Sequence, residues 1–249
     1  MMELIPDALT AFEFYGLIVL SLFTSGLTAA LGAGGGSLLI AVMAQIFPVK
    51  ALIPVHGVIQ LGSNTGRAAI LTKYINWRMT GAFLVGGLIG AVIGGNIVVS
   101  LPVRTLQLIL GIFIIVSAWF PKPKGGGAPI IVFGLGGIIT TIMTMFVGAT
   151  GPFITALARS FNLSPEAVVA TSAACMTAKH LFKVVVFGVL GFAYAEYIPF
   201  IFLMFISGFG GTLIGKRILI SIDPKQFKLA LNIVLSLLAA RLIWKALGG

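Results

Sequence analysis

Residues Leu31–Ile40 read LGAGGGSLLI, and residues Val147–Ala156 read VGATGPFITA. The second stretch lies 116 residues after the first, and the same displacement organises the whole chain. It places Gly32-Ala33 on Gly148-Ala149, Gly35 on Gly151, Ala51 on Ala167 and Arg67 on Lys183 without a gap. After about five inserted residues, Gly90 and Pro102 meet Gly211 and Pro224. One motif is written twice, over residues 1–120 and 130–249, with the basic linker PKPKGGGAP at 121–129 between the copies. Internal duplication of this kind in an apolar chain is the mark of a secondary transporter.

The chain around these stretches has 249 residues, 59% hydrophobic and 9% charged, with a mean hydropathy of +1.13. Soluble domains carry roughly 25% charged residues. Runs such as Phe14–Leu31, Thr80–Val99 and Gln226–Leu242 match the ~20 residues a bilayer-spanning helix needs. A transmembrane barrel would show alternating segments of ~10 residues instead. The expected fold is therefore an all-α polytopic membrane protein, integrated as one domain. The acidic N-terminus (Glu3, Asp7, Glu13) is unlike a cleavable signal. One cysteine, Cys175, excludes disulfides within the chain and argues against a metal cluster. A net charge of +10, scattered over short loops, argues against nucleic-acid binding.

Each half reads as a long span, a short helix and three further spans. The expected helices are 12–31, 36–47, 51–72, 79–99 and 104–120, then 128–147, 152–160, 166–188, 197–215 and 227–246. A short helix of ~18 Å does not cross alone; with the span before it, it either crosses twice or re-enters. Either way each half crosses an odd number of times, which makes two tandem halves inverted repeats. Loop charges place nine Lys or Arg inside and four outside, so both termini are expected on the extracytoplasmic face.

Pro152 suits a first helical position, where its missing N–H costs nothing, and Gly36 is its counterpart. Each glycine stretch then aims a half-helix N-terminus at something. Gly34, Gly35, Gly36 and Ser37 in one copy, with Thr150 and Gly151 in the other, become candidate anion contacts through backbone amides and the helix dipole. Alternatively these glycines let helices pack closely.

The third element of each half carries a polar stripe. His56, Gln60, Ser63, Asn64 and Arg67 fall at i, i+4, i+7, i+8 and i+11, within one face about 100° wide. The equivalent positions are Ser172, Met176, Lys179, His180 and Lys183. A charge at bilayer depth costs roughly 2.5–3.5 kcal/mol. All six carboxylates (Glu3, Asp7, Glu13, Glu166, Glu196, Asp223) lie at or near span ends. Nothing in mid-span neutralises Arg67, Lys179 and Lys183, and the simplest missing partner is an anionic substrate. Arg67 and Lys183 have the competing option of snorkelling to opposite interfaces. His56 and His180 are either ligand or proton contacts or hydrogen-bonded packing groups. Gln60, Ser63 and Ser172 can donate to an anion or bond neighbouring helices.

The segments GAGGGSLL (Gly32–Leu39) and ATSAA (Ala170–Ala174), the duplication and the length resemble the sulfite exporter TauE/SafE family. The resemblance implies a bacterial or archaeal cytoplasmic-membrane permease that exports small sulfur-containing anions: sulfite, sulfoacetate and related organosulfonates. Ala41 stands where the family often has proline, Gly151-Pro152 replaces a fuller glycine run, and PVHGV (Pro54–Val58) replaces a small-residue stretch.

These observations lead to an expected alternating-access permease with one anion site between the halves. Lys179, Lys183 and Arg67 would supply charge there, with Asn64, Ser63, His180, His56, Gln60 and Ser172 as hydrogen-bonding groups. The expected partners are a small sulfur oxyanion and the lipid bilayer, with a homodimer left open; no catalytic residue, cofactor or metal is called for. Histidine or sodium coupling stays open. The alternatives are a passive anion channel and a membrane-embedded enzyme, the latter disfavoured because Cys175 and His180 point some 140° apart on their helix.

Overall fold

The computed structural model describes residues 5–31, 34–98, 100–119, 129–148, 150–218 and 224–248. The linker expected at 121–129 lies outside these residues except for Pro129, as do Gly32, Ala33 and Ala149 of the duplicated turns. The described residues form ten α-helices and two short 3-10 turns, with no strand. The first half comprises α1 (Ala11–Leu31), α2 (Gly35–Ile46), α3 (Val49–Ile70), α4 (Trp77–Val98) and α5 (Val103–Trp119). The second comprises α6 (Ile130–Val147), α7 (Gly151–Arg159), α8 (Pro165–Val189), α9 (Ile198–Ile218) and α10 (Pro224–Leu247). Hydropathy fixed each helix to within about three residues. The 3-10 turns at Thr72–Tyr74 and Tyr194–Tyr197 were not expected.

Six helices (α1, α4, α6, α8, α9 and α10) are long and apolar enough to cross a membrane. The remaining long helix, α3, has 22 residues but carries the polar stripe that lowers its hydropathy. With 17 residues, α5 is at the short end of spanning lengths. The surface is inverted relative to a water-soluble protein. Phe12, Val85, Val92, Ile131, Leu135, Val185, Phe202 and Leu237 are exposed, while His56, Asn64, Arg67, Lys179, His180 and Lys183 are buried. Only a solvent of hydrocarbon makes that arrangement favourable. The chain is a polytopic all-α membrane protein.

The helices pair across the halves. Helix α1 packs on α9, α4 on α6, α3 on α8 and α5 on α10. The first two crossings depend on small residues. A Cβ on Gly86 would meet the Gly134 carbonyl, one on Gly90 the Ile138 carbonyl, and one on Gly94 the Ile142 Cα. In the other crossing Ser207 Oγ donates to the Ile18 carbonyl at 2.6 Å. There a Cβ on Gly211 would meet the Leu22 carbonyl, and one on Gly215 the Gly26 backbone. Such close backbone approach gives helix association its dispersion energy where no hydrophobic force operates between helices.

Helices α3 and α8 run antiparallel. Gly57 lies against Lys183 near one end of the contact, and the Asn76 amide donates to Thr171 Oγ1 at 3.0 Å near the other. Helices α5 and α10 do the same, with Gly111 against Ile243 and Ala239 and Trp119 Nε1 donating to Ser236 Oγ at 3.0 Å. The polar faces of α3 and α8 are thereby turned toward each other in the middle of the molecule.

Candidate functional site

Both short helices begin beside a residue well back along the helix that precedes them. Gly35 sits so close to the Thr24 carbonyl and the Thr28 hydroxyl that no Cβ fits there. In the second half, Thr150 Oγ1 lies 3.4 Å from the Thr140 carbonyl. In each half the chain folds back, and the short helix starts inside the bundle. Gly34, with φ of 107°, makes the first turn possible, and Gly148, with φ of 68°, ends α6 before the second. The helices start at Gly35 and Gly151, one residue before the expected Gly36 and Pro152. Neither start is capped by the side chain of its own N-cap residue, Gly34 or Thr150.

These two starts face one partly open cavity. Gly34, Gly36 and Ser37 line it from one half, and Gly148, Gly151 and Pro152 from the other. Gln60 and Asn64 of α3, Met176 and His180 of α8, and Thr28 of α1 complete the wall. The side chains at the second stripe position serve matching ends: Gln60 lies against Gly36, and Met176 Sδ would stand 3.1 Å from a Cβ on Gly151.

The cations stand behind this wall. Lys179 and Lys183 are both 0% exposed. Lys179 Nζ donates to Thr150 Oγ1 at the start of α7. Lys183 Nζ has no hydrogen-bond partner, and it lies beside Gly57 and Gly148. His56 Nε2 is 3.2 Å from the Gly36 carbonyl, and the His56 and His180 ring centroids are 6.4 Å apart. Arg67 sits farther along α3, its guanidinium donating to Asn64 Oδ1 at 3.0 Å and to Ser63 Oγ at 3.4 Å. It reaches the cavity only through Asn64. Ser172 Oγ is buried without a partner. Among the described residues no carboxylate joins this group: Asp7, Glu166 and Glu196 are exposed, and Glu13 is bonded to Thr10. Buried positive charge of this kind in a low-dielectric interior favours an anion in the cavity. No group of His, Cys, Asp or Glu suited to a metal occurs among the described residues.

Of the residues singled out by sequence, Gln60, Asn64, His180, Gly34, Gly36, Ser37 and Gly151 are brought to the cavity itself. Gly35, Thr150, His56, Lys179 and Lys183 lie next to these lining residues; Arg67 and Ser63 stand farther along α3, and Ser172 is buried one turn before Met176 on α8. Hydroxyls were missed. Thr28 lines the cavity, and Thr141 and Thr144 on α6 are buried with unpartnered oxygens. Their signal is the same displacement of 116, which maps Thr24, Ser25 and Thr28 onto Thr140, Thr141 and Thr144.

A bundle of spanning helices around a cavity with hydrogen-bonding groups in its wall, and buried cations behind it that meet no carboxylate among the described residues, suits a membrane protein that passes an anion. The model of the sulfite exporter TauE/SafE family matches residues 17–242, nearly the whole chain, and the chain belongs to that family. No curated protein and no solved structure matches the chain significantly. The family is one of membrane transporters and implies export of sulfite or a similar anion across a membrane.

Proposed function

We propose that the chain exports small sulfur-containing anions, such as sulfite, sulfoacetate and other organosulfonates, by alternating access at the cavity between α2, α3, α7 and α8. The observation that carries this reading is the convergence of two half-helix N-termini on one cavity backed by lysines with no acidic partner among the described residues. Sulfonate and sulfite oxygens suit such a site, since each accepts several bonds from amides, amide side chains and imidazole. Two inverted repeats give the cavity its two mouths. Support for the inversion comes from α3 and α8, equivalent in sequence and antiparallel in space. Further support comes from the two small-residue crossings. Gly86, Gly90 and Gly94 meet residues 134, 138 and 142; their counterparts Ser207, Gly211 and Gly215 meet 18, 22 and 26, each 116 lower.

Both termini lie on the extracytoplasmic side in this reading, so Arg67 stands toward the inner mouth and Lys183 toward the outer. Flux into proteoliposomes tests the reading, with sulfite, sulfoacetate, taurine and chloride compared under an imposed potential. Saturable flux of sulfite or a sulfonate that Lys179→Ala abolishes is the expected result. Absence of any anion flux from folded protein refutes it.

A further inference from the structure

We propose that Lys183, together with His56 and His180, carries a proton with the anion, so that anion and proton cross in the same direction. The inference rests on the anion-permease reading above. Three basic nitrogens in the middle of the bundle (Lys183 Nζ, His56 Nδ1 and His180 Nδ1) are buried, and each lacks a hydrogen-bond partner. They are close together. A Cβ on Gly148 would stand 3.0 Å from His56 Nδ1 and 3.1 Å from Lys183 Nζ. The two rings are 6.4 Å apart, nearly perpendicular. His56 Nε2 lies 3.2 Å from the Gly36 carbonyl, which only accepts, and 3.3 Å from Gln60 Nε2, which only donates; in the tautomer that serves the shorter contact, Nε2 holds the ring hydrogen. That leaves Nδ1 with a lone pair on the Lys183 side.

Among the described residues no fixed charge compensates this group. Facing it, α3 supplies His56 and, farther along, Arg67; α8 itself supplies Lys179 and His180. Helices α2 and α6 contain no titratable residue, α4 only Arg78 in its first turn, and α7 only Arg159 in its last. Lys73 and Tyr74, in the 3-10 turn packed on α8, are exposed. With the cavity empty, a second ammonium beside Lys179 would have only repulsion. With an anion in the cavity it has an attractive partner. Proton and anion therefore bind cooperatively, each raising the occupancy of the other.

The duplication sharpens the contrast. Arg67 holds the equivalent position in the first half, where Asn64 and Ser63 fix its guanidinium, and arginine does not release its proton in proteins. One half thus contributes a permanent cation and the other an exchangeable one. His180 alone of the three lines the cavity. On the loading side a hydronium ion yields its proton through His180 to the Lys183 amine and becomes water. On the far side the ammonium returns that proton to water as the anion leaves, and only N–H and O–H bonds change.

The test uses full-length protein in proteoliposomes holding a pH-sensitive dye, with the membrane potential clamped by potassium and valinomycin. The probe is 2-hydroxyethanesulfonate, the anion of a strong acid, which brings no proton of its own. Inward sulfonate flux is expected to acidify the lumen by about one proton per anion, and outward flux to make it alkaline. Lys183→Met and His180→Gln are expected to reduce protons moved per anion to background, whatever anion flux remains. Sulfonate flux with no pH change in the unaltered protein overturns the proton inference and leaves the permease standing. So does a Lys183→Met variant that moves as many protons per anion as the unaltered protein. No sulfonate flux at all removes the proton inference, and sulfite and sulfoacetate flux then decide the permease reading separately. Where a variant fails to fold, the unaltered protein's proton-to-anion ratio decides alone.

Discussion

Lys179 Nζ is tied to Thr150 Oγ1, so the central lysine of α8 is fastened to the residue from which α7 begins. One side chain thus links the cation-bearing helix to a half-helix whose first turn lines the cavity. Movement of either should be felt by the other.

Stability and transport are expected to part company at this pair. Thr150→Val leaves a buried ammonium without its acceptor and should cost about 1–3 kcal/mol. Lys179→Met removes the charge together with its need for a partner and should leave stability unchanged or raised. Flux should fall in both variants. Unfolding midpoints of detergent-purified protein, measured beside flux, check the split; a Lys179→Met variant as unstable as Thr150→Val would contradict it.

The small-residue crossings predict paired sensitivities. Gly90→Ala and Gly211→Ala each push a methyl into a carbonyl of the facing helix and should destabilise by about 1–3 kcal/mol. Gly210→Ala, one residue away with open space around it, should be neutral or slightly stabilising. Thermal midpoints in detergent distinguish the three, and equal midpoints for Gly210→Ala and Gly211→Ala would refute the close-packed crossing.

Gly148 and Gly191 separate backbone strain from contact. Both have positive φ, at 68° and 86°, so alanine at either costs about 1–2 kcal/mol in the backbone alone. Only at Gly148 does the methyl also press on Ile40, His56 and Lys183. Gly148→Ala should therefore lose more stability than Gly191→Ala and should lose transport as well. Paired midpoints and flux rates provide the check.

Cys175 is fully buried, so impermeant maleimides should leave the folded protein unlabelled. That silence makes orientation measurable. Lys50 and Arg159 are both exposed and stand on opposite sides of the proposed arrangement. In intact cells Lys50→Cys should label from outside, whereas Arg159→Cys should label only after the membrane is opened. The reverse pattern would invert the proposed orientation.

The fold was legible because its determinants are one-dimensional. Apolar runs set the helices, and glycine with proline set the breaks. The polar stripes on α3 and α8 were legible as faces, since His56 to Arg67 and Ser172 to Lys183 repeat at helical spacing. Which stripe member touches the cavity was not legible. The spacing puts Lys179 on the polar face, while its bond to Thr150 at the start of α7 is a tertiary contact that spacing does not encode. Thr28 escaped notice for a different reason. Hydroxyls hide easily in apolar helices, where they satisfy themselves on carbonyls one turn back, as Thr28 does on Thr24 at 3.0 Å.

The pairing of α1 with α9 also has a temporal side. Ser207 and Ile18, joined by a hydrogen bond, are 189 residues apart. During synthesis α1 enters the bilayer long before α9 and waits for seven intervening helices before its partner exists. Until then the carbonyl-lined seam along Ile18, Leu22 and Gly26 faces lipid or another nascent helix. Non-local contacts of this kind form late and slowly, so completion of this seam comes late in assembly, and any truncation before α9 leaves α1 permanently without its track.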